Sequence, residues 1–102
     1  MGFTERKRVV SPSGHIYEGD WVNGQPHGKG KMTWSYGLIY DGDWVNSKQQ
    51  GRGKMTTPDG MIYEGDWFDG IQHGKGKMTY PDGTVAYEGD WVKGNPAPGG
   101  AY

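Results

Sequence analysis

The sequence contains no cysteine, which excludes disulfide staples, cysteine-ligated zinc and thiol chemistry. It also lacks any apolar run of the roughly 18 residues that a membrane-spanning helix needs, and its opening MGFTERKRVV has no apolar stretch of the secretory-signal kind. The expected location is therefore cytoplasmic, at most peripheral at a membrane or the cytoskeleton. Gly2 heads no myristoylation signal, because Arg6 stands where Ser or Thr is required. The usual core formers are scarce, with one Leu, four Ile, six Val and two Phe in 102 residues. Such poverty signals disorder when it accompanies a large net charge, but the net charge here is only -1. The same balance leaves no basic stripe of the size phosphate backbones require, so no nucleic-acid partner is expected.

What the chain does have is five Trp, seven Tyr and 20 Gly. Trp and Tyr bury large areas while keeping a polar tip, which makes them the candidate core. Glycine is costly inside helices, so so many of them point to turns and strands. Self-comparison orders both sets. Tyr17, Tyr40, Tyr63 and Tyr87 each open a unit, with Gly19, Gly42, Gly65 and Gly89 two residues on and Trp21, Trp44, Trp67 and Trp91 four residues on. GKGKM, GRGKM and GKGKM follow, and then a turn at Tyr36-Gly37 or at Pro-Asp-Gly. The organisation is one domain: a half unit at 3–16, units at 17–39, 40–62 and 63–86, a partial unit at 87–94 and a tail at 95–102.

Alternation in YEGDW sends Tyr, Gly and Trp to one side and the acids to the other, the period-two mark of a strand with one solvated face. Asn23-Gly24, Asp69-Gly70 and the Pro-Asp-Gly triplets supply the turns between strands. The expectation is an all-β, single-layer curved antiparallel meander of hairpins, about eight strands and no helix. No residues remain for a second layer. The sheet must be held by rows of side chains stacked along it, Tyr over Tyr and Trp over Trp, with Met32, Met55 and Met78 as a third row. Pro96 and Pro98 in the tail should end the ladder, leaving the N-terminal edge as the unguarded one.

These units resemble MORN repeats, whose pattern is Tyr-Glu-Gly, a Trp two residues on, Gly, and His-Gly-x-Gly; YEGDWVNGQPHGKGKM and YEGDWFDGIQHGKGKM carry the likeness most fully. It covers nearly the whole chain. The second unit departs from it at Ser47 and Gln50, and the fourth lacks its second strand. The resemblance implies a curved sheet used for protein interaction, membrane association or self-assembly.

The chemistry of catalysis is missing. His15, His27 and His73 lie beside turns, where hydrogen bonding to local backbone is their expected role, and they join no set of metal ligands. The paired acids are solvated strand residues without the burial that acid/base work needs, and GKGK has neither the spacing nor the helix of a phosphate loop. No enzyme activity, cofactor or metal is expected. Exposed aromatic surface on an uncovered sheet face points instead to a groove for a peptide or helix of a protein partner, lined by Trp34, Tyr40, Trp44, Met55, Tyr63, Trp67 and Tyr80. The alternative is a membrane adaptor holding anionic phospholipid head groups on Lys29, Lys31, Arg52, Lys54, Lys75 and Lys77, although eight interleaved acids oppose it. A homodimer through an open edge or the aromatic face is a further expectation.

Overall fold

A computed structural model describes residues 4–98. Each unit forms two strands because its glycine-bearing turns fall where the alternation breaks. In chain order these are β1 (Thr4–Val10), β2 (Ile16–Val22), β3 (Gln25–Thr33), β4 (Ile39–Val45), β5 (Lys48–Thr56), β6 (Ile62–Phe68), β7 (Ile71–Thr79), β8 (Val85–Val92) and β9 (Asn95–Pro96). They pair in sequence order as one open antiparallel sheet, with no helix among the described residues. The ninth strand, beyond the expected eight, is only the two residues that Pro96 allows. The body measures 43 × 30 × 19 Å, as a single sheet must.

Two kinds of turn alternate along the sheet. Four-residue turns such as Thr57 to Gly60 close through the Gly60 N–H to the Thr57 carbonyl (2.9 Å). Two-residue turns have both central residues at positive φ, as the hairpin twist demands: Asn23 (+52°) and Gly24 (+78°), Asp69 (+52°) and Gly70 (+87°). Each two-residue turn after the first is tied to the unit before it. The N–H groups of Ser47, Gly70 and Gly94 donate to the carbonyls of Pro26, Gln49 and Gln72 at 2.8–2.9 Å.

In the second unit Ser47 occupies the glycine position at φ +70°, where a Cβ crowds the carbonyl. Ser47→Gly is therefore expected to stabilise the protein by about 0.5–1 kcal/mol, raising Tm by a few degrees in calorimetry. A lower Tm would mean that the Ser47 hydroxyl, which donates to Gln25 Oε1 at 3.0 Å, outweighs the backbone strain.

The core lies on one face. Tyr17, Tyr40, Trp44, Tyr63, Trp67 and Trp91 are buried, with Met32, Met55 and Met78 half-buried against them. The rings do not stack in like rows. They alternate edge to face: Tyr17 against Trp21 and Trp44, Tyr40 against Trp44 and Trp67, Tyr63 against Trp67 and Trp91, with centroids 4.9–5.5 Å apart. This corrects the expected Tyr-over-Tyr and Trp-over-Trp rows. The physical reason is the ring quadrupole, which favours a positive edge against a negative face over like rings face to face.

All of these rings but one also have a polar anchor. Tyr17, Tyr40, Tyr63 and Tyr87 donate from Oη to the carbonyls of Asp20, Asp43, Asp66 and Asp90 at 2.8 Å. Trp44, Trp67 and Trp91 donate from Nε1 to the carbonyls of Gly30, Gly53 and Gly76 at 3.0–3.1 Å. Trp21 has no preceding unit, and its Nε1 is buried without an acceptor among the described residues.

Candidate functional site

The glycines of each unit exist to bring these rings down. Gly19 of β2 faces Gly30 of β3 across the ladder, and Tyr17 lies over the pair. Gly42 with Gly53 under Tyr40, and Gly65 with Gly76 under Tyr63, repeat the arrangement. Two residues earlier, Gly28, Gly51 and Gly74 form bulges at φ +111°, +100° and +118°, against the carboxylates of Asp20, Asp43 and Asp66. Each of those carboxylates accepts a backbone N–H in the bulge, from Lys29, Arg52 and Lys75 respectively, at 3.0 Å.

The opposite face is a ladder of charge. Oδ1 of the same aspartates takes a cation from the preceding unit: Arg6 to Asp20, Lys29 to Asp43, Arg52 to Asp66, and Lys75 to Asp90. A second row sets Lys31 between Glu18 and Asp41, Lys54 between Asp41 and Glu64, and Lys77 between Glu64 and Glu88. All six basic residues of the lipid-binding reading therefore face acids, which removes most of the field an anionic surface would feel.

Tyrosines and aspartates of these units shift in opposite directions. Burial, reinforced by the neighbouring Asp carboxylates, pushes the Tyr17 and Tyr63 phenols up to about 12 and raises that of Tyr40 as well. Asp20 and Asp66 are held below the ordinary carboxylate range by the Lys29 and Lys75 N–H groups together with the guanidinium groups of Arg6 and Arg52. Asp43 pays a desolvation cost that would raise it, but the Lys29 ammonium and the Arg52 N–H bring it below that range too.

Both limbs of a pH profile follow. Unfolded tyrosines lose their protons near pH 10 while the folded ones keep theirs, so between about pH 10 and 12 the unfolded state binds fewer protons. The tyrosine contribution is complete below pH 10 and is expected to fall by about 1.4 kcal/mol per pH unit for each phenol above it. On the acid side the aspartate contribution is present above about pH 4 and is lost as pH falls through the depressed folded values. Urea midpoints at pH 9, 10 and 11, with absorbance at 295 nm reporting tyrosinate, check the alkaline limb; an unchanged midpoint would contradict it.

Of the seven residues expected to line a partner groove, Tyr40 and Tyr63 have no accessible surface and Trp44 and Trp67 are 3–4% exposed. Trp34 and Met55 are half-buried beside them, and Tyr80 is exposed. The four middle rings close on one another, which leaves Trp34, Met55 and Tyr80 as the accessible members of that set. A hollow of about 280 Å³ lies toward the N-terminal end of the aromatic face, lined by Val9, His15, Tyr17, Trp21, Met32 and Trp44 among others. Sequence reasoning missed Val9, Trp21 and Met32 as a group. The available signal was the half unit: β1 presents Lys7 and Val9 opposite Gly19 and Tyr17, where β3 presents Gly30 and Met32.

β1 also corrects the expectation of an unguarded N-terminal edge. Glu5 and Lys7 project on the aromatic face, 3.9 Å apart as an ion pair, with Lys7 Nζ 5.3 Å from the Trp21 ring centroid. Charges on the core-side face of an edge strand disfavour further strand pairing.

The histidines reach further than their local backbone. His27 Nδ1 accepts the Asn46 N–H and His73 Nδ1 the Lys93 N–H, both at 3.2 Å, joining successive two-residue turns. Gln50 fills the same role through Oε1 to the Asp69 N–H at 3.2 Å, so the second unit departs in residue but not in function. His15 Nδ1 accepts the Ser35 N–H at 2.9 Å at the other turn edge.

Residues 17–37, 40–62, 63–85 and 87–97 match, in four consecutive stretches, the family model described as MORN repeat. No curated protein matches the chain.

Proposed function

Because the chain belongs to the MORN repeat family, whose members are protein- and membrane-interaction modules, we propose that it is a non-catalytic scaffold that binds a peptide or helix segment of a protein partner on its aromatic face. The observation that carries this reading is the apolar hollow bounded by Val9, Tyr17, Trp21, Met32 and Trp44, on a sheet face with no second layer. The hollow would take one bulky apolar side chain of the partner, with Trp34 and Met55 extending the contact toward the middle units. Apolar anchors seated in a preformed pocket carry most of the energy of such interfaces. The membrane reading has less support, since Lys29, Lys31, Arg52, Lys54, Lys75 and Lys77 each face an acid across the ladder.

A displayed peptide library panned on the protein tests this. Apolar-anchored peptides should be enriched, and Val9→Glu, on an edge strand where folding tolerates it, should weaken them at least about tenfold while Tm holds. Failure to enrich any peptide would overturn the reading. So would salt-sensitive binding to anionic vesicles that is lost in Lys54→Glu and Lys77→Glu.

A further inference from the structure

Among the described residues, the fourth unit has a complete first strand but only two residues of the strand that should cover it. In the three complete units the Tyr ring lies over the glycine of the following strand, so closely that a Cβ on Gly30, Gly53 or Gly76 would come within 2.0–2.6 Å of the Oη, Cζ and Cε1 atoms of Tyr17, Tyr40 or Tyr63. Tyr87 is held in the same pose, with Oη donating to the Asp90 carbonyl at 2.8 Å and its ring edge to face with Trp91 at 5.7 Å. Its following strand β9 stops after Asn95–Pro96, followed by the Ala97 N–H to the Asp90 carbonyl at 2.8 Å. Pro98 then stands where the other units have Gly28, Gly51 and Gly74 at φ near +110°. The pyrrolidine ring fixes φ near about -65°, so Pro98 cannot adopt the positive-φ bulge conformation of those glycines.

From Val85 to Gly89, β8 therefore pairs on one side only among the described residues, with β7. We propose that this outer edge of β8 is a docking site for an extended strand of another polypeptide, of the form Gly-(Lys/Arg)-Gly-(Lys/Arg)-Met, added antiparallel beside Tyr87, Glu88 and Gly89. The complete units define what fits. The residue facing Gly89 must be glycine, because the Tyr87 ring takes the space of a side chain. The residue facing Glu88 is basic: Glu18, Asp41 and Glu64 each sit between two cations, whereas Glu88 faces one cation, Lys77, among the described residues. The residue between the glycines brings its N–H to Asp90 Oδ2, as Lys29, Arg52 and Lys75 do to the three earlier aspartates. The residue facing Tyr87 is Met, as Met32 faces Tyr17. Adding a strand to an exposed edge gives affinity through backbone bonds and specificity through alternate side chains.

A second copy of this chain does not fit through its own free edge. β1 carries Lys7 at the position facing Gly19, and bringing β1 against β8 would place that side chain in the Tyr87 ring. The site also lies apart from the apolar hollow, which no residue of β8 lines.

The probe is the capped peptide Gly-Lys-Gly-Lys-Met-Thr-Tyr, titrated into the isotope-labelled full chain and followed by amide chemical shifts. Shifts are expected at Val85 to Asp90, with those of β1 unmoved. Replacing the peptide's second glycine by valine, or Glu88→Lys in the protein, should each weaken binding at least about tenfold. Glu88 is exposed, and an unchanged Tm shows that its variant folds. The proposal is overturned if no shift occurs up to the peptide's solubility limit, if the shifts map to β1 or the hollow, or if the valine peptide binds as well.

Discussion

Gly53→Ala is expected to destabilise the protein by about 3 kcal/mol or more, at or beyond the upper end of ordinary overpacking. The methyl group would stand 2.2–2.4 Å from Oη, Cζ and Cε1 of Tyr40, and that ring has nowhere to go. Tyr40 is fully buried, wedged between Trp44 and Trp67 at centroid distances of 5.2 and 5.0 Å, and tied by Oη to the Asp43 carbonyl. Moving it breaks a hydrogen bond and two edge-to-face contacts at once. Out of a total stability of about 5–15 kcal/mol, that loss leaves little. The fitting control is Gly24→Ala, at a turn where an added Cβ meets nothing within 4 Å but φ is +78°. It should cost only the strain of the left-handed backbone, about 1–2 kcal/mol. Urea denaturation of both variants separates a steric requirement for glycine from a conformational one. Equal midpoints would mean that the tyrosine does not need the glycine beneath it.

The same geometry explains how far the sequence could be read. Strand number, turn positions and the division into an aromatic and a charged face all follow from local spacing: Tyr at 17, 40 and 63, the alternation of YEGDW, and the Asn-Gly and Pro-Asp-Gly turns. The ring order does not, because Tyr17 meets Trp44 across two strand pairings, and only the registers from β2 to β3 and from β3 to β4 together bring them side by side. The burial of Tyr40 and Tyr63 was hidden for a related reason. A one-layer sheet ordinarily leaves its face open, but alternating Tyr and Trp are large enough to close over glycine without help from a second layer. Gln50 in a histidine position read as a departure from the pattern, whereas both side chains offer one acceptor at the same place, to the Asn46 and Asp69 N–H groups. The hollow arises where the repeat is least regular, at the half unit whose β1 has Val9 and Lys7 instead of Met and Gly.

Trp67→Ala should have an effect of similar size, about 3–5 kcal/mol, for a different reason. Trp67 is 4% exposed and touches the two most buried side chains, Tyr40 and Tyr63, so its removal opens a void that neither tyrosine can fill while its Oη stays bonded. The Gly53 carbonyl also loses its Nε1 donor. Trp67→Phe keeps most of the ring and separates the two contributions: it should cost about 1 kcal/mol for the lost hydrogen bond, plus a small packing term. At Trp21 the balance differs. Its Nε1 is buried with no acceptor among the described residues, so Trp21→Phe removes a donor that those residues leave unsatisfied and should leave stability unchanged or slightly raised. Chemical denaturation of the three variants gives the ordering Trp67→Ala far below Trp67→Phe, with Trp21→Phe near the parent protein. If Trp21→Phe instead costs as much as Trp67→Phe, the Nε1 bonds do not anchor the ring row and packing alone sets the energies. Either result bears on partner binding: alanine at Trp44 or Trp67 lowers the folded population itself, so only residues at the rim of the hollow, such as Val9, report on the interface.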